Sequence, residues 1–112
     1  MAHTVLVVED HAPSRQLLAS VLARQGYAVR SAPDGLAALD EIGRARPDLV
    51  LSDIQMPGLD GIGLIRRLRE DGIAVPVVLV SDGGAGVPAG VPFLPKPIDF
   101  LALRALLAQL LG

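Results

Sequence analysis

The stretch TVLVVED, residues 4–10, decides the fold. Five β-branched or aliphatic residues stand in a row without polar alternation, and two carboxylates end the run. A strand with one wet face alternates apolar and polar side chains. A run that is apolar on both parities belongs to a central parallel strand covered on both sides. The same design recurs in DLVLS at 48–52 and PVVLV at 76–80, with a shorter version, YAVRS, at 27–31. VPFL at 91–94 makes a weak fifth strand, whose Pro92 suits only a sheet edge or a strand start.

Between these runs the apolar period lengthens to that of a helix. Residues 13–24 carry Leu17, Leu18, Val21 and Leu22 on one expected face, and Gly26 stops the helix. Asp34 is the expected N-cap of a helix burying Leu36, Leu39 and Ile42. Asp60 heads one that uses Ile62, Ile65 and Leu68. Asp99 heads a last helix with Leu103, Leu106, Leu107, Leu110 and Leu111 on one side. Apolar strands alternating with helices require right-handed crossovers, hence an α/β fold with an open, doubly wound parallel sheet.

The bulk numbers agree with one domain over residues 1–112. The aromatic residues are one tyrosine and two phenylalanines, so the core is built from Val, Leu, Ile and Ala. A net charge of −2 offers no basic field to nucleic acid. No apolar run reaches a membrane span, and the N-terminus lacks the cationic region of a leader. With no cysteine there is neither a disulfide framework nor a thiolate site, which fits a cytoplasmic location.

In open α/β sheets, ligands bind beyond the carboxyl ends of the strands. The first strand ends in Glu9 and Asp10, the third in Asp53 and the fourth in Ser81, and the fifth is soon followed by Lys96. Crowded carboxylates repel unless a cation intervenes, and an all-oxygen set suits Mg²⁺. Lys96 can hold a phosphoryl oxygen as a point charge and Ser81 can hydrogen-bond another. Asp53 is then the nucleophile, a carboxylate able to form an acyl phosphate. The bland alternatives are that Glu9 and Asp10 cap the following helix and that Ser81 is a turn residue. His3 and His11 are expected to be exposed without a role, and Arg66, Arg67 and Arg69 to form the wet face of a helix.

VVED, LSDIQMPGLDG, LVSD and KP, in that order and spacing, resemble the receiver domain of two-component response regulators over nearly the whole chain. The resemblance implies a flavodoxin-like sheet of five strands in the order 2-1-3-4-5. It implies Asp53 as phosphoacceptor, taking its phosphoryl group from a phosphohistidine on a histidine kinase or phosphotransfer protein. It further implies Mg²⁺ held by Asp10, Asp53 and the Gln55 backbone carbonyl, with Glu9 acting through water. Ser81 becomes a switch hydroxyl, Phe93 an aromatic switch and Lys96 the site lysine. Such a domain catalyses only its own phosphorylation and dephosphorylation. A cis Lys96–Pro97 bond is part of the same expectation.

Two features depart from the family. Receivers carry a helix between the fourth and fifth strands, but the interval from Ser81 to Lys96 is short of that by roughly two helical turns. Its glycines and prolines oppose a helix. Four helices are therefore expected, with residues 83–90 as a mobile bridge. Second, Asp82 stands where receivers place a small residue, as a possible modulator of phosphorylation. Both departures favour the alternative of a degenerate receiver acting as a constitutive protein-binding module. A phosphatase of the haloacid-dehalogenase type would instead place its nucleophile at the end of the first strand, in a DxD pattern. On the last helix, Leu101, Ala105 and Ala108 form an apolar outer side, the expected face for a second copy or an effector domain. Gly112 closely follows that helix, and no effector domain is expected within these residues.

Overall fold

The computed structural model describes residues 2–84 and 86–112. The elements run β1 (Thr4–Val8), α1 (Ala12–Arg24), β2 (Ala28–Ala32), α2 (Gly35–Arg44), β3 (Leu49–Asp53), α3 (Gly61–Glu70), β4 (Val77–Ser81), β5 (Phe93–Pro95) and α4 (Phe100–Leu111). All strand pairs are parallel and the order is β2-β1-β3-β4-β5.

The two parities of each central strand feed two separate cores. Leu6, Val8, Val50 and Leu79 pack with Ala38 and Ile42 of α2 and with Leu64, Ile65 and Leu68 of α3. Val5, Val7, Leu51 and Val80 pack with Leu18 and Leu22 of α1 and with Leu103 and Leu107 of α4. This is the arrangement that an unbroken apolar run demands, since neither parity can be left wet.

Asp34, Asp60 and Asp99 cap their helices, accepting from Ala37 N at 2.8 Å, Gly63 N at 2.7 Å and Leu101 N at 2.9 Å. The cap of α1 is His11, whose ring nitrogen accepts from Ser14 N and lies 2.6 Å from Ser14 Oγ. Neither acidic neighbour takes that role, and the expectation of an idle His11 is corrected.

Other expectations shift in detail. β2, β3 and β4 each start and end one residue later than their apolar runs. Ladder pairing continues onto Asp53, which sits opposite Val80, while Ile54 N donates to the Val80 carbonyl at 3.0 Å. Leu17 and Leu36 were expected inside and are 55% and 59% exposed. α1 and α2 each contact the sheet through a stripe narrower than the apolar period suggests, centred on Leu18 and Leu22 and on Ala38 and Ile42. Leu110 of α4 is also exposed.

Among the described residues no helix joins β4 to β5. Ala85, within the 83–90 bridge, lies outside the described residues. The rest turns twice, with Val87 N donating to Gly84 O at 3.3 Å and Val91 N to Pro88 O at 3.2 Å. Val87, Val91 and Phe93 pack against the core on the α2/α3 side, the face a helix would have covered. β5 is the sheet edge. Lys96 N donates inward to Ser81 O at 3.0 Å, so Pro95, one residue earlier, turns its donorless nitrogen to the free edge. That blunts the edge against pairing with another strand. The Lys96–Pro97 bond is cis, as expected.

α3 starts hard against β3. A Cβ on Gly61 would strike the Asp53 carbonyl oxygen and the Ile54 Cα, both backbone atoms with nowhere to go. Gly43, inside α2, faces open space. Gly61→Ala should therefore cost about 1–3 kcal/mol through overpacking, while Gly43→Ala should stabilise by about 0.4–1 kcal/mol. Urea unfolding of the two variants checks the contrast; equal midpoints would refute it.

Candidate functional site

The sheet order reverses direction between β1 and β3, and the crevice that opens there is lined from the carboxyl ends of the strands. Glu9 follows β1 directly. Its N–H donates to Ala32 O at 3.1 Å, and its carbonyl accepts from Arg15 Nη1 at 2.8 Å. Both bonds pin the chain where it leaves the sheet. Asp53 ends β3, and Ser52 Oγ donates to the Asp53 carbonyl at 2.9 Å.

Carboxylate oxygens of Glu9, Asp10 and Asp53 come within 4.8 Å of one another. Glu9 and Asp53 are buried and Asp10 is exposed, so the cluster opens outward on one side. Lys96 reaches back from beyond β5 and places Nζ 2.7 Å from Asp53 Oδ2. The other Asp53 oxygen accepts from Gln55 N at 3.2 Å. Ser81 is buried at the end of β4, and its hydroxyl accepts from Gly83 N at 3.4 Å.

One amine cannot neutralise three carboxylates, and the imbalance falls on Glu9. Burial, then a hydrogen bond to Asp53 and the Asp53 charge, push its pKa up from 4.5 to about 7, against the opposing pull of Lys96 and the His11 N–H. Burial works against the charge on Lys96, but Asp53, then Glu9 and Asp82, raise its pKa.

The cleft beside this cluster holds about 610 Å³. Glu9, Asp53, Asp82 and Lys96 line its polar side, and Leu17, Leu18, Pro97, Ile98 and Phe100 its apolar side. The exposed Leu17 thus belongs to a cleft wall. Phe93 is half-buried against the α2/α3-side core, with its ring beside Gly84. Leu101, Ala105 and Ala108 are exposed on α4. The structure thus gathers Glu9, Asp10, Asp53 and Lys96 closely, while Phe93 packs on the α2/α3-side core and Leu101, Ala105 and Ala108 lie on the exposed side of α4. Sequence reading passed over Arg15 and Gly61. Arg15 had no signal beyond its place in the first helix. Gly61 could have been found from the glycine after the Asp60 cap.

The family model for the response regulator receiver domain matches residues 5–108. The chain belongs to this family. The receiver is 42% identical over 113 residues to response regulator MprA of Mycobacterium sp. (strain KMS), covering 95% of this chain and 48% of that protein. It is 40% identical over 108 residues to transcriptional regulatory protein CseB of Streptomyces coelicolor, covering 90% and 46%. The chain thus spans about half the length of the curated relatives it matches. A putative response regulator from Chloroflexus aurantiacus J-10-fl has the same fold, with TM-score 0.91, 31% identity and coverage of 99% of this chain and 98% of that one. No described helix of the receiver is long and apolar enough to cross a membrane.

The raised pKa of Glu9 sets a pH dependence. Between pH 4.5 and about 7 the folded, metal-free protein holds a proton on Glu9 that the unfolded chain has lost. The stability this contributes is complete below pH 4.5 and is lost as pH rises through about 7. Thermal melts of the metal-free protein from about pH 5 to about pH 8 should show that decline in wild type and a flatter profile in Glu9→Gln. Parallel profiles would contradict the assignment.

Proposed function

We propose that the receiver takes a phosphoryl group onto Asp53 from a phosphohistidine and changes its partner contacts in response. The observation that carries this reading is the convergence of three carboxylates within 4.8 Å, one of them held by the Lys96 amine at 2.7 Å. An Asp53 carboxylate oxygen attacks phosphorus and an O–P bond forms. The N–P bond breaks and its electron pair stays on the imidazole nitrogen, leaving a neutral ring whose other nitrogen already carries the proton. Hydrolysis later returns the carboxylate and releases inorganic phosphate, so the domain acts only on itself. Lys96 already touches Asp53 and can follow the new negative charge onto a phosphoryl oxygen. The buried Ser81 hydroxyl has only a long hydrogen bond and can donate to another. Phe93, which follows the bridge, is the residue we assign to relaying that change to the surface.

The donor set fits Mg²⁺: every group offered is oxygen, and carboxylates outnumber the amine. Asp10, Asp53 and the Gln55 carbonyl would hold it, with Glu9 acting through water. Bound there, it supplies positive charge against the phosphoryl oxygens during transfer. The donor protein is a histidine kinase or phosphotransfer protein, for which the apolar cleft wall of Leu17, Ile98 and Phe100 offers a docking surface.

One observation favours a second reading, a constitutive binding module: Asp82 lines the cleft that the phosphoryl group must enter. Intact mass separates the two. With Mg²⁺ and a small phosphodonor, wild type should gain one phosphoryl group and Asp53→Asn none. Asp10→Ala should bind Mg²⁺ at least about tenfold more weakly, through loss of a directly bound charge. No adduct on wild type would leave the binding module, and an adduct surviving on Asp53→Asn would refute the site.

The outer side of α4 is the surface this reading offers to a second copy or an effector domain. Leu101 there is 77% exposed, with Ala105 and Ala108 beside it. A helix side facing only water is usually charged. Leu101→Glu with Ala105→Glu should weaken self-association or effector binding in sedimentation, with and without phosphorylation. Unchanged behaviour would make the face ordinary surface.

A further inference from the structure

The cleft carries one charge that the site chemistry does not use. Asp82 lines it together with Glu9, Asp53 and Lys96. It stands outside the trio of carboxylates whose oxygens converge, so a cation held by that trio leaves its charge in place. Among the described residues, no ion pair includes Asp82. Lys96, the one cation among the lining residues, is engaged by Asp53 at 2.7 Å. The bridge beyond Asp82 offers no compensation, because Asp82 is the only charged residue from Ser81 to Pro95 and two glycines follow it. Asp82 is thus an exposed carboxylate, outside the ion pairs of the described residues, on the wall of a cleft that reaches Asp53.

We propose that Asp82 is a specificity-determining residue that filters phosphodonors by charge, disfavouring acyl phosphates and admitting donors with a nitrogen–phosphorus bond. The proposal rests on Asp53 being the phosphoacceptor. Near neutral pH an acyl phosphate arrives as a dianion. A phosphorylated amine or imidazole carries a proton on its nitrogen and arrives with one negative charge fewer. As the bond to Asp53 forms, the acyl O–P bond breaks and the carboxylate leaves with the electron pair, or the N–P bond breaks and the neutral amine or imidazole leaves with it. Repulsion by a fixed charge scales with the charge of the visitor and fades as salt screens it. The geometry therefore penalises the small metabolic type of donor most and the phosphohistidine type least. It turns an apparent defect in the site into insulation against stray phosphorylation.

The test is the initial rate of mass gain with Mg²⁺ and either acetyl phosphate or phosphoramidate, at low and at high salt, in wild type, Asp82→Asn and Asp82→Ala. Asp82 is exposed, so neither variant threatens the fold. Asp82→Asn keeps the shape and removes the charge. At low salt it should speed labelling by acetyl phosphate about tenfold and by phosphoramidate about threefold, with both gains shrinking at high salt. Equal acceleration for the two donors, gains insensitive to salt, or acceleration in Asp82→Ala alone would overturn the filter and leave bulk as the cause. Labelling of every variant at the wild-type ratio would also overturn it, leaving Asp53 as phosphoacceptor. No mass gain in any variant with either donor would overturn the phosphoacceptor reading itself, and the filter with it.

Discussion

A parallel sheet buried on both faces has no room for chemistry along its strands. Val5 to Val8, Leu49 to Leu51 and Val77 to Val80 are all buried and all apolar, because each parity faces its own layer of helices. The buried polar groups gather at the carboxyl ends of the strands, at Glu9, Ser52, Asp53 and Ser81. Parallel pairing turns all the carboxyl ends to the same edge, so β1, β3, β4 and β5 bring their terminal residues to one side of the sheet. The clustering of Glu9, Asp10, Asp53 and Lys96 follows from that constraint, although they are spread from residue 9 to residue 96. The position of Gly61 follows as well: α3 must begin directly on the Asp53 backbone for the helix to cover the sheet, and no side chain fits between.

The same constraint makes the site electrostatically tense. Glu9 and Asp53 are buried side by side at a sheet edge, with a single amine between Asp53 and water. A group in that position must gain a proton, a cation or a new partner, and the raised pKa of Glu9 expresses the first of these. Arg15 of α1 holds the Glu9 backbone carbonyl, and the His11 N–H donates to the Glu9 carboxylate at 3.4 Å.

The passage from β4 to β5 is where this receiver parts from its family. Val87, Val91 and Phe93 do part of the covering that a helix would do, at the cost of a thinner layer over the sheet edge. Phe93 therefore packs under a bridge of small residues, with Gly84 against its ring. Asp82, at the start of the bridge, lines the same cleft as Lys96, whose amine is engaged by Asp53.

Much of this was legible in the residues. Strand identity followed from apolar runs without alternation, and three helix starts from Asp34, Asp60 and Asp99, because a short carboxylate before an apolar period has few other uses. The candidate site could be named because strand ends are sequence features. What the residues left undecided depends on partners remote along the chain. Apolar periodicity cannot say how wide a stripe the sheet will cover, so Leu17 and Leu36 were placed inside and are exposed. A cap needs only a lone pair at the right angle, which the His11 ring supplies as well as a carboxylate does. The proton on Glu9 and the place of Asp82 in the cleft arise from burial and Coulomb fields among β1, β3, β4 and β5. Those quantities exist only once the strands stand side by side.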